Sequence, residues 1–172
     1  MIKLIAKWGG IIGGVMIAVM LAEFAIVPKP GPEHFEVSEM LGYATILASL
    51  AIMFLAMNEQ EKLAGDEPVT MWQRILLGSG AAVVAGACFG VYNVIYSEVL
   101  NPEFMDTYFA YSISQLPVQS GPDFERMAAE LLEQKEMFKA PTTQFLVMAS
   151  TVIMIGIPMS VLMAFGLKLR RA

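Results

Sequence analysis

The sequence predicts an all-α integral membrane protein with four transmembrane helices and an extracytoplasmic helical hairpin between the third and the fourth. Three observations carry this reading. The chain of 172 residues is 56% hydrophobic and only 16% charged, against about 25% charged residues in a soluble domain. Four runs hold no charge: between Lys7 and Glu23, Met40 to Asn58, Ile75 to Ser97, and Ala140 to Leu167. Each is close to the roughly 20 residues that cross a bilayer as helix. The stretch between the last two runs is polar and repeats apolar positions at helical spacing.

The spans fall at about 6–27, 39–57, 74–97 and 143–167, one membrane domain over 1–172 that holds a hairpin at 98–141. A signal peptide would also start with bases such as Lys3 and Lys7, but the first apolar run is longer than a usual signal core. It is therefore expected to stay as a span. Its "GGIIGG" places Gly9 four residues from Gly13, and Gly10 four residues from Gly14. Lipid gives helices no hydrophobic drive to associate, so close backbone approach must supply the contact energy.

The first loop, "PKPGPEHFEVSE", is too rich in proline for regular structure, and Pro28, Pro30 and Pro32 stop the first helix. The second loop, "NEQEKLAGDEPVT", is short and polar, and Thr70 caps the third helix. That helix carries "LLGSGAAVVAGACFG". A dinucleotide-binding glycine loop would need glycine at the sixth position from Gly78, and Val83 stands there. Gly78, Ala82, Gly86 and Gly90 instead recur every four residues and form a ridge of minimal bulk, broadened by Ser79, Ala81, Ala85 and Ala87. The glycine faces of the first and third helices pack helices within the chain, join two copies in a homodimer through one of these faces, or line a ligand cavity.

The region 98–141 has eight acids against three bases. Asn101-Pro102-Glu103 reads as the cap of one helix, and Ser120 with Asp123 as a capping box for another. Phe124, Met127, Ala128, Leu131, Leu132 and Phe138 form an apolar stripe, while Glu125, Glu130 and Glu133 point elsewhere and offer a surface to a partner. In the fourth span Pro158 is expected to kink the helix.

Orientation follows the basic residues. Lys3, Lys7, Lys62, Arg74, Lys168, Arg170 and Arg171 fall on one side, and Lys29, Arg126, Lys135 and Lys139 on the other. Both termini are therefore expected in the cytoplasm. Trp8 and Trp72 then lie at the inner interface, and Tyr43, Tyr92 and Tyr96 toward the outer one.

Little in the chain reads as chemistry. Glu33, His34, Glu36 and Glu39 offer one histidine among carboxylates, too sparse for a metal centre. Cys88 is mid-span, far from the only histidine, so no catalytic pair is expected. No cofactor and no nucleic-acid partner are expected either. Ionisable groups at membrane depth are functional candidates by default. Glu23 is one, a turn inside the first helix, with Glu39 opening the second and Glu98 closing the third at the same interface.

The order of features resembles a bacterial membrane family, domain of unknown function 4199. The matching pieces are the Gly-rich first span after basic residues, "SEMLGYATILASLAIMF", the Gly/Ala third span ending in tyrosine, "NPEFMDTY", "EQKEMFKAP", and a last span with Pro158 ending in "KLRR". The resemblance implies a bacterial inner-membrane protein and no assigned activity. The residues themselves lead to a non-enzymatic accessory or scaffold protein, whose partners are the bilayer and another membrane protein or a second copy. The alternative is a small proton- or cation-coupled transporter or channel using Glu23.

Overall fold

The computed structural model describes residues 1–28 and 30–169. Lys29, Arg170 and Arg171, used above for orientation, lie outside the described residues. The elements in order are α1 (Ile2–Ile26), α2 (Pro32–Leu50), α3 (Met53–Ala64), α4 (Met71–Ile95), a π-helical segment (Tyr96–Leu100), α5 (Phe104–Ser114), α6 (Pro122–Phe138) and α7 (Pro141–Leu169). There is no strand among the described residues. Four helices are long and apolar enough to cross a membrane: Ile2–Ile26, Pro32–Ala64, Met71–Leu100 and Pro141–Leu169.

The second of these differs from expectation at both ends. The proline-rich loop was expected to stay irregular, yet α2 begins at Pro32 behind Gly31. Proline suits the first helical turn, where its missing N–H would have had no partner. At the other end the helix runs on through Glu59, Gln60, Glu61 and Lys62 to Ala64. In this way α2 and α3 form one rod with a tightened turn between them, where Ile52 N bonds Ser49 O at 3.1 Å and Leu55 N bonds Ile52 O at 2.9 Å.

Thr70 caps α4 in a full capping box with Gln73, which secures the helix start against the preceding turn. At its far end α4 does not stop before Asn101 but widens into the π segment, closed by Asn101 N to Tyr96 O at 2.7 Å. This displaces the expected cap. Asn101 is buried and its amide donates to the Tyr96 hydroxyl at 3.3 Å, so Glu103 takes the cap position of α5. The second expected cap moves too. Pro122 occupies the first turn of α6, and the cap falls on Gly121 rather than Ser120, at φ 90°, where a residue with a Cβ would be strained.

The bundle is organised around α4. Its ridge of Gly78, Ala82, Gly86 and Gly90 faces antiparallel α7. A Cβ on Gly86 would lie 2.8 Å from the Ala149 carbonyl oxygen, one on Gly90 2.8 Å from Phe145, and one on Gly78 2.6 Å from Ser160 Cβ. In α7, Gly156 returns the device against Ala82. A second smooth face of α4 receives parallel α1. A Cβ on Gly9 would meet Val84 at 2.5 Å and the Ala81 carbonyl oxygen at 2.9 Å, and one on Gly13 would meet Cys88 at 2.7 Å. The homodimer reading of the α4 ridge therefore fails, because α7 already covers it. Intramolecular packing also stops at half of "GGIIGG": Gly10 and Gly14 are exposed, with nothing within 4 Å of an added Cβ. Helical periodicity turns adjacent glycines to different faces, and only one pair can face α4.

α5 and α6, joined by residues 115–121, meet through the Phe109 and Phe138 rings, 6.2 Å apart, and an Asp106–Lys135 pair at 2.7 Å. That lysine holds the Asp106 carboxyl below the ordinary carboxylate value. Along the α6 stripe Phe124, Met127, Ala128, Leu131 and Phe138 are half-buried, whereas Leu132 is exposed. α7 runs unbroken through Pro158.

The ridge is tested by adding one methyl. Gly86→Ala drives a Cβ into backbone, which cannot step aside as a side chain can. It should destabilise by about 1–3 kcal/mol, the usual range for overpacking. Val83→Leu, on an exposed side of the same helix, should change little. Thermal melts in mild detergent give both values, and equal melting would mean that α4 and α7 are not held by the ridge.

Candidate functional site

Polar groups concentrate at the two ends of the bundle. The first cluster grows from the continued α3 helix. Met53, Ala56, Met57 and Gln60 are all buried and follow one helical stripe, so the core face of α3 runs straight into its charged segment. Next to that stripe, Glu59 accepts from Lys7 Nζ at 2.7 Å and from Trp8 Nε1 at 2.7 Å. The Lys7 ammonium also stands 5.2 Å from the Trp8 ring centre, within cation–π range. Glu61 pairs with Arg74 of α4 at 2.5 Å, and both side chains are largely enclosed, at 13% and 4% exposure. Gln60 donates to the Gln73 carbonyl at 3.3 Å. Two buried atoms here, Gln60 Oε1 and Arg74 Nε, have no hydrogen-bond partner. A cavity of about 200 Å³ opens beside them, lined among others by Met1, Leu4, Gln60, Glu67 and Gln73.

This cluster ties α1, α3 and α4 together at the end that holds the basic residues. Sequence reasoning counted Arg74 only as an orientation charge and placed Glu61 in a loop. The signal that could have found them is the stripe from Met53 to Gln60, which continues past Asn58 without a break in phase.

The opposite end is aromatic. Phe35, buried at the start of α2, contacts Phe104, Tyr108 and Tyr111 of α5, and Tyr96 bridges Phe24 of α1 to Phe104. Gln144 of α7 is buried at this end as well. Its amide nitrogen donates to Glu98 Oε1 at 3.2 Å and to the Phe138 carbonyl at 2.9 Å, and its oxygen accepts from the Ser97 hydroxyl. One amide thus joins the π segment, α6 and α7.

The three acids singled out from the sequence keep separate company. Glu98 is exposed and held by Gln144. Glu39 is exposed, with its charge felt at Tyr108. Glu23 is half-buried, within electrostatic reach of Tyr92 and Tyr96. Glu125, Glu130 and Glu133 are exposed on α6. His34 pairs with Glu33 at 3.1 Å on exposed surface, and Cys88 packs where α1 crosses α4. The arrangement fixes helices to one another at both ends. Among the described residues, neither cluster sets a nucleophile beside a base.

An enclosed ion pair makes its partners interdependent. Arg74→Met should destabilise by about 3–5 kcal/mol, since it removes one partner of an enclosed ion pair. Adding Glu61→Leu should recover most of that loss, because an apolar pair of similar volume replaces a buried salt bridge at little net cost. Lys7→Ala, at a half-exposed pair, should cost about 1 kcal/mol or less. Melting the three variants side by side decides the matter. A double variant no better than Arg74→Met would show that the arginine acts through something other than Glu61.

Comparison with known proteins gives one match, to the family model described as a protein of unknown function (DUF4199), over residues 7–168. Neither the curated proteins nor the solved structures gave a match. The matched region runs from Lys7, in the polar cluster with Glu59, to Lys168 at the end of α7, and takes in both end clusters and nearly all of the four membrane-length helices. The chain belongs to the DUF4199 family.

Proposed function

We propose that the protein is a non-enzymatic accessory or scaffold protein of the bacterial inner membrane, and that it acts by holding a second membrane-spanning chain, or a second copy of itself, against α1. The observation that carries this is the outward face of α1. Gly10 and Gly14 are followed at the same four-residue step by Ala18 and Ala22, and all four are exposed. Glycine inside a helix costs about 1 kcal/mol relative to alanine. Gly9 and Gly13 recover that cost by letting α4 approach, whereas Gly10 and Gly14 recover nothing within this chain. A helix seated on the ridge supplies the missing return.

The basic residues set both termini in the cytoplasm, with α5 and α6 as an extracytoplasmic hairpin. Glu125, Glu130 and Glu133 then face outward and steer a basic partner surface toward the membrane. The transport alternative needs polar groups along the full depth of the bundle. Glu23 has tyrosines near it, but the α1–α4 seam below it is lined by Gly13, Ala85, Gly9 and Ala81. Uncompensated charge at mid-bilayer costs at least about 2.5–3.5 kcal/mol on insertion scales.

Three experiments follow. Single cysteines at 62 and 130, in a Cys88-free background, should differ in intact spheroplasts. A membrane-impermeant maleimide should label 130 and spare 62, and the reverse pattern would invert the topology. For the scaffold role, Gly10→Leu with Gly14→Leu should abolish a crosslinked partner band in native membranes while leaving the melting temperature within a few degrees. Retention of the band would remove α1 as the contact. A flux in sealed vesicles that Glu23→Gln abolishes would replace the scaffold reading with transport.

A further inference from the structure

The flank of α1 turned toward α2 holds a different feature. Val15 and Val19 of α1 and Leu41, Ala44, Thr45, Ala48 and Ser49 of α2 line a groove of about 330 Å³. The α2 residues recur at helical spacing on one face, and four of the five are small, so the surface of α2 recedes there. Toward the outer end the two helices meet again where Gly42 faces Met20. Val15 and Val19 are midway along α1, and Thr45 and Ser49 midway along the apolar run of α2, so the groove opens at the middle of the bilayer.

Two hydroxyls set this groove apart from a lipid-filled crease. Thr45 is 9% exposed and Ser49 2% exposed, and both line the groove. A hydroxyl inside a helix usually bonds back to the carbonyl one turn earlier. Thr151 does so with Val147, and Ser112 with Tyr108. The side-chain hydroxyls of Thr45 and Ser49 form no hydrogen bond among the described residues, although the Ser49 carbonyl accepts from Ile52 N at 3.1 Å. In hydrocarbon an unused hydroxyl is a standing cost. Two of them, one turn apart, offer a matched pair of donors to an acceptor that arrives from the membrane.

We propose that this groove binds a membrane-soluble apolar molecule bearing a hydrogen-bond-accepting carbonyl, of the size and flatness of a quinone head group. The valine wall and the alanine floor take the ring or chain, and Thr45 and Ser49 donate to the carbonyl oxygen. Depth selects against phospholipid as the ligand, because its ester carbonyls stay at the interface while these donors lie near the midplane. The site is separate from the Gly10 and Gly14 ridge, so it stands whether or not α1 holds a partner chain.

The test uses the full-length protein in lipid nanodiscs and a decyl-substituted benzoquinone as probe, with decylbenzene as its carbonyl-free counterpart. The quinone should raise the melting temperature saturably, and decylbenzene should not. Thr45→Val with Ser49→Ala removes both donors at nearly constant shape. It should weaken binding about tenfold, one net hydrogen bond's worth, while the ligand-free protein melts no lower than wild type. Ala48→Leu should fill the groove and abolish binding, and Val83→Leu, on α4, should leave it unchanged. If Ala48→Leu does not fold, the near-isosteric double variant decides alone. Absence of saturable binding, equal binding of decylbenzene, or an unchanged affinity in the double variant would each overturn the proposal.

Discussion

The architecture depends on one constraint, that α4 must be approached closely on two sides at once. With no hydrophobic drive between helices in lipid, contact energy comes from van der Waals packing at short range. α4 meets this by keeping one line of Gly78, Ala82, Gly86 and Gly90 for α7 and another of Ala81, Val84, Ala85 and Cys88 for α1. A bulkier side chain on either line would push the neighbouring helix away. The outer helices answer with small residues of their own, Gly9 and Gly13 on one side and Gly156 on the other.

The remaining elements are placed by what this central packing leaves open. Leu50 and Met53 reach into the space beside Gly156, and Met57 touches the Gly78 position. The α2–α3 rod is thus seated by long flexible side chains rather than by backbone approach. Met is suited to such gaps because it is unbranched and polarizable. The looser seat of α2 against α1 is also what leaves a groove between them. At the two ends polar and aromatic groups take over, with Arg74 and Glu61 at one and Gln144 with the Phe35 cluster at the other. These are the depths at which partners for charged and amphipathic side chains become available.

The same contrast separates the parts of the chain with structural roles from those open to function. A glycine pressed against backbone is explained by the fold. Gly10 and Gly14, with open space before them, are not, and neither are hydroxyls such as Thr45 and Ser49 that forgo the usual bond to their own helix. Gly10 and Gly14 lie on exposed surface, and Thr45 and Ser49 are buried beside the groove between α1 and α2.

By itself the sequence determined the membrane-length apolar helices, the Thr70 cap, the smooth ridge on α4 and the family. All of these rest on local composition, period or spacing, which neighbours do not change. Tertiary structure decided the rest. Which pair of the "GGIIGG" glycines packs depends on where α4 lies, and periodicity alone leaves both pairs equivalent. Whether "NEQEKLA" is loop or helix was decided by Gln60 and Glu61 finding buried partners on α4, since polarity alone reads as loop. The caps at Asn101 and Ser120 moved because the π segment and Pro122 claimed those turns first. The union of Gln144 with Ser97 and Glu98 joins residues more than forty positions apart, and only the antiparallel pairing of α4 and α7 brings them together.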